Sequence, residues 1–175
     1  RMMVGGRTLR VAAGAAVVAM GLLGATHAEA TTTTTMRDVT TMIGAREYWA
    51  AGITGKGVDI AVIDTGVADV DGLRGADKLL HGADVSFDSQ SAELAQRDGY
   101  GHGTHMAGIA AGRGRAAATG PQYAGDPSNF LGVAPDARVI NVKAGDAAGG
   151  ADVTQIVAAI DWVVEHRADP GLNIR

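Results

Sequence analysis

Two short segments carry side chains that could work together as a proton relay. Asp64-Thr65-Gly66 closes an apolar run, and His102-Gly103-Thr104-His105 opens a segment rich in glycine and alanine. A carboxylate beside an imidazole fixes the ring's tautomer, and the imidazole can then take a proton from a hydroxyl too weakly acidic to attack unaided. Alone, each segment has other readings. Asp-Thr-Gly at a strand end also suits an aspartic-peptidase site or an ordinary strand cap. Two imidazoles three residues apart could ligate zinc. No glutamate or cysteine stands at a matching offset, however, so His105 is expected to be a packed or hydrogen-bonded structural residue. His27, His81 and His166 fall in an apolar leader, a loop and a helix end respectively.

Placing those groups is the work of the elements around them. Val58 to Asp64 reads as a strand whose centre, Ile60 to Ile63, is continuously apolar, as expected of a strand covered on both faces. Asp64 then sits at its carboxyl end, where open α/β sheets put functional groups. His102 to Ala111 reads as a helix with Met106, Ile109 and Ala110 on one face and Gly112 closing it. Its interior Gly108 weakens it by about 1 kcal/mol relative to alanine, tolerable if the helix lies close against a sheet. Arg138 to Lys143 gives a second strand. In the next helix Val153, Ile156, Val157, Ile160, Val163 and Val164 form one stripe, Asp152 with Gln155 makes a capping box, and Asp169-Pro170-Gly171 is the stop. A short helix is expected over residues 42–51, loops over 112–129, and no regular element over 72–100. Asn173-Ile174 reads as the start of a further strand. The alternation of strands and helices points to an α/β fold with a parallel sheet.

The 175 residues hold no cysteine and 26 glycines, with a formal net charge of −4. No basic block exists to track a phosphate backbone, so nucleic acid is not an expected partner. The absent cysteines exclude a disulfide framework, a thiol nucleophile and a lipoprotein anchor. Arg7 and Arg10, the apolar stretch Val11 to Leu23 and the small residues around Ala28-Glu29-Ala30 have the three-part layout of a secretory signal. That stretch is shorter than the roughly 20 apolar residues of a membrane span, so the membrane is met only transiently during export. The expected division is a signal peptide over residues 1–30, a polar linker over 31–42 around the threonine run, and one domain over 43–175 that is incomplete at its C-terminal side.

Taken in order, Thr54-Gly55-Lys56-Gly57-Val58 leading to Ile63-Asp64-Thr65-Gly66, then Gly101-His102-Gly103-Thr104-His105-Met106-Ala107-Gly108, then Leu131-Gly132-Val133-Ala134-Pro135-Asp136-Ala137 resemble the subtilases, the subtilisin-like serine peptidases, over residues 43–175. The resemblance implies a three-layer α/β/α fold with a mainly parallel sheet, here truncated. It implies a secreted serine endopeptidase acting on protein or peptide substrates, with Asp64 as catalytic aspartate, His102 as general base and a structural turn at Gly132 to Pro135. Subtilases take their serine from a later Gly-Thr-Ser-Met-Ala-like helix start and an oxyanion-hole asparagine before it, and neither is present. Ser86, Ser89, Ser91 and Ser128 lie in loops without that context, and Thr31 to Thr41 is too short for a folding-assisting pro-segment. Residues 31–175 alone are therefore expected to be inactive and poorly soluble. No organic cofactor is implied. Calcium is possible as a structural ion, and the loop from Gly120 to Asn129 offers the hard oxygen ligands Asp126 and Asn129, although a plain mobile loop is the simpler reading. An exported non-catalytic domain that retains the scaffold is the alternative, and a zinc hydrolase using His102 and His105 a third reading.

Overall fold

The computed structural model describes residues 34–175; the signal-peptide reading of residues 1–30 lies outside them. Three strands, β1 (Asp59–Asp64), β2 (Leu79–Asp84) and β3 (Arg138–Lys143), form a parallel sheet in the order β1-β3-β2. The register pairs Asp59 with Arg138 and Asp64 with Lys143. Among the described residues four α-helices accompany them: α1 (Met36–Met42), α2 (Ala45–Ala50), α3 (His102–Ala111) and α4 (Val153–His166).

Alternation along β1 and β3 sends successive side chains to opposite faces. Ile60, Val62 and Val139 pack with Val67, Leu73, Leu79 and the small residues Ala107 and Ala111 of α3. Ala61, Ile63, Ile140 and Val142 pack with Ala159, Trp162 and Val163 of α4. The sheet is thus covered on both sides, an α/β/α arrangement of three layers, and each buried Val or Ile contributes about 1.5–3 kcal/mol. Asp64 is in phase with Ile60 and Val62, so the even positions of β1 face α3. A third cluster joins Ala45 and Trp49 of α2 to Tyr123 and Leu131. Ile174 is buried and makes one parallel bridge to Asp59.

Asp59 carries a charge into this core. Burial works to raise its carboxyl, but paired hydrogen bonds from Arg138 (2.6 and 2.7 Å) and one from the Asn173 N–H outweigh that and hold it below its ordinary value.

Several elements differ from the sequence reading. Residues 36–42, expected within a polar linker, form α1, because Thr35 and Asp38 make a capping box and Thr40 is buried. The helix expected over 42–51 is α2, later at its start because Met42 belongs to α1 and Gly44, with φ 74°, separates the two. Within 72–100 lie the whole of β2 and a 3₁₀ turn at Phe87–Gln90, and another 3₁₀ turn spans Gly120–Gly125. β2 has a glycine, Gly82, at its centre because a Cβ there would lie 2.5 Å from the Trp162 ring of α4. The apolar stripe of α4 is mostly exposed: its sheet-facing residues are Gln155, Ala159, Trp162 and Val163, while Val153, Ile156, Val157, Ile160 and Val164 face outward. Gln155 is spent on the capping box and on a hydrogen bond to the Val85 carbonyl.

Candidate active site

Asp64 ends β1 and His102 begins α3, and the packing of α3 on the even face of β1 brings the two side chains together. The Nδ1 atom of His102 lies 2.8 Å from both carboxylate oxygens of Asp64. An ionised carboxylate only accepts, so Nδ1 carries the proton and Nε2 is left as the acceptor. The Thr65 N–H also donates to Asp64 Oδ1, at 2.7 Å. Asp64 is largely buried, its side chain 16% exposed, whereas His102 is 56% exposed. The geometry is an imidazole oriented by a fixed carboxylate, with Nε2 turned outward.

The close approach depends on Gly103. A Cβ at this position would collide with the Gly66 carbonyl oxygen and sit 3.0 Å from Asp64 Cβ. Gly108, expected to mark close contact with the sheet, instead has only Phe130 Cζ within reach of an added Cβ, at 3.9 Å. The buried seam of α3 runs through Gly103, Ala107 and Ala111, spaced by four residues along one line of the helix.

Asp98, which the sequence reading passes over as part of a loop, fastens strand end to helix start. Its Oδ1 accepts from the Thr65 hydroxyl (2.8 Å) and the N–H groups of Gly101 (2.6 Å) and Tyr100 (3.2 Å). Its Oδ2 accepts from the Thr104 N–H (2.7 Å) and hydroxyl (2.6 Å). Gly101, the N-cap of α3, has no side chain to offer, so Asp98 caps the third N–H of the helix in its place. Thr65 Oγ1 accepts the second, from Gly103 at 3.1 Å. Burial alone would raise the Asp98 carboxyl; the bonds from Thr104, Gly101 and Thr65 overcome it and lower it. Lys143, opposite Asp64 in the sheet and wholly buried, ties down the same turn by donating to the carbonyls of Arg97 (2.7 Å) and Thr65 (3.1 Å), with Asp88 at 3.0 Å as its counter-ion.

The remaining histidines are elsewhere. His105 is exposed, and among the described residues its ring makes no hydrogen bond, so the expectation of a packed or bonded residue is corrected: its place on the helix faces away from the sheet. His81 belongs to β2 rather than a loop and meets Asn141 at 3.1 Å. His166 ends α4, stacked on Trp162. Among the described residues no group of three or more His, Cys, Asp or Glu side chains is arranged to hold a metal. With Nδ1 of His102 committed to Asp64, the pair His102 and His105 has no third protein ligand of that kind. Asp126 and Asn129 do not fit a calcium shell, since both face N–H donors or carbonyls of their own loop.

The sequence profile of the subtilase family matches residues 55–169, a span that contains Asp64, Asp98 and His102. The chain belongs to the subtilase family. It is 34% identical over 127 residues to the minor extracellular protease Epr of Bacillus subtilis, covering 73% of this chain and 17% of that protein. It is 33% identical over 131 residues to the major intracellular serine protease of the same organism, covering 73% of this chain and 37% of that one. A cold-adapted subtilisin-like serine proteinase of known crystal structure aligns with 67% of this chain and 36% of its own, at 27% identity and a TM-score of 0.48. The chain therefore spans well under half the length of these subtilases.

Proposed function

We propose that this chain supplies the aspartate and histidine of a secreted serine endopeptidase of subtilisin type. The observation that carries the reading is the contact of His102 Nδ1 with Asp64, which leaves Nε2 free to accept a proton on a mostly exposed ring. The serine comes from sequence outside these 175 residues. Among the described residues no serine hydroxyl is hydrogen-bonded to His102, and Ser86 donates its own to Asp84 at 2.6 Å. In the reaction the serine oxygen bonds to the peptide carbonyl carbon while His102 takes its proton. The C–N bond then breaks as His102 returns that proton to the amine, and water releases the acyl group by the same relay. Asp64 holds the ring and stabilises the imidazolium. Export rests on the signal-like layout of residues 1–30 and agrees with the extracellular naming of some relatives, though another is intracellular.

A fluorophosphonate probe tests this on the full-length protein. A labelled serine, with labelling abolished in His102→Ala, is the expected result. Labelling undiminished in His102→Ala, or hydrolysis stopped by a zinc chelator and not by the serine reagent, overturns it.

A further inference from the structure

The loop that follows α3 turns three backbone carbonyls, those of Tyr123, Ala124 and Asp126, toward one nitrogen atom. It is Nη2 of Arg46, on α2, which donates to Ala124 O at 2.7 Å, Asp126 O at 2.9 Å and Tyr123 O at 3.3 Å. Its Nε adds a bond to Ala124 O at 3.1 Å, and Arg37 of α1 reaches Asp126 O at 2.7 Å. Carbonyls converging on a point are what a hard divalent ion would use, calcium taking about 6–8 oxygens at 2.3–2.6 Å. Here the point holds a guanidinium.

The side chains that would complete a calcium shell are committed. Asp126 accepts from the N–H groups of Ala118 (3.1 Å), Ser128 (3.2 Å) and Asn129 (3.0 Å) and from the Asn129 amide. These bonds, the Asn129 N–H first among them, hold its carboxyl at about 2. Asn129 therefore presents its amide nitrogen, not its oxygen, to Asp126 and to the Ala116 carbonyl. Arg46 is itself held in place, its guanidinium 5.5 Å over the Trp49 ring, and Trp49 packs edge-on against Tyr123 with ring centres 6.2 Å apart. A second cation entering this cradle would meet two positive side chains.

We propose that Arg46, backed by Arg37, is the built-in cation of this loop, standing where a divalent ion would otherwise be needed, so that the loop keeps its shape without calcium. The inference is independent of the peptidase reading, because its readouts are stability and metal binding.

The test uses the full-length protein with calcium at about 10 mM, above the roughly 10⁻³ M dissociation constant of weak extracellular sites, and with a chelator. Terbium reports on the loop locally, since Trp49 would sensitise its emission, with Trp49→Phe as the control for origin. Expected are no Trp49-dependent terbium emission from the wild type, and a fall of about 2–4 °C or more in melting temperature for Arg46→Gln, the loss of a charged hydrogen-bond donor in a chain of this size. Trp49-dependent emission from the wild type overturns the proposal. So does an Arg46→Gln protein as stable as the wild type. If Arg46→Gln does not fold, the terbium result on the wild type decides alone, and Arg37→Gln, which leaves Arg46 in the cradle, should still bind no terbium there.

Discussion

Replacing Asp98 with asparagine keeps the shape of the side chain and removes its charge. Asparagine offers one acceptor oxygen where aspartate offers two. If its oxygen takes the Oδ1 place, beside Thr65, Tyr100 and Gly101, the amide group faces the Thr104 N–H, donor against donor. The opposite orientation orphans the Gly101 and Tyr100 N–H groups instead. Either way at least one helix-start N–H is left unsatisfied, worth about 1–3 kcal/mol, and α3 loses the negative charge at its positive end, worth about 0.3–1 kcal/mol. Together Asp98→Asn should cost about 1.3–4 kcal/mol, or roughly 3–16 °C in melting temperature. The effect has a pH signature. Because the folded carboxyl titrates below its ordinary value of 3.8, its stabilisation is full above that value and lost as pH falls through the lower folded one. The gap between wild type and Asp98→Asn, measured by denaturant unfolding, should therefore be widest above pH 4 and shrink toward pH 2. For the peptidase activity proposed for the full-length protein, kcat should fall by up to about 100-fold for a displacement near 1 Å, with KM little changed. A gap below 1 kcal/mol at neutral pH, or one that stays constant down to pH 2, would refute the reasoning.

Other substitutions probe the same framework. Gly103→Ala, whose Cβ would strike the Gly66 carbonyl, should cost about 1–3 kcal/mol by overpacking and depress activity, while Gly108→Ala, with open space around it, should stabilise by up to about 1 kcal/mol; chemical denaturation of both variants, with equal costs counting against the seam, checks this. Arg138→Ala strands the buried Asp59 carboxylate and should cost about 3–5 kcal/mol, and a midpoint shift worth under 1 kcal/mol would contradict it. Lys143→Ala should cost a similar amount, about 3–5 kcal/mol, part of it recovered by Asp88→Asn in a double-mutant cycle; strict additivity would show the pair uncoupled.

What is legible in the sequence is whatever local pattern decides. The continuous run Ile60 to Ile63 marks β1 and therefore the carboxyl end where Asp64 sits, and the Asp152 and Gln155 box marks the start of α4. What is hidden depends on distant neighbours. Gly82 and His81 break the pattern of β2, because its shape is dictated by Trp162, eighty positions later. Periodicity in α4 announces a helix without saying which face meets the sheet, and there the small Ala159 allows the approach that the Ile156 and Ile160 side would not. Asp98 reads as one more acidic residue in a glycine-bounded loop. Its importance comes from Thr65, thirty-three residues earlier, and its one local trace is Thr104 six residues on. At Asp126 and Asn129 the sequence shows oxygen-bearing residue types but not the hydrogen bonds from Ala118, Ser128 and Asn129 that the carboxylate of Asp126 accepts.

The contact between residues 64 and 102 is tested most directly by the rate of peptide hydrolysis in full-length Asp64→Asn. An amide there leaves the fold intact but turns a donor toward Nδ1 and favours the wrong imidazole tautomer, and kcat should drop by about 10⁴. An Asp64→Asn enzyme that hydrolyses peptides at the wild-type rate would contradict the account.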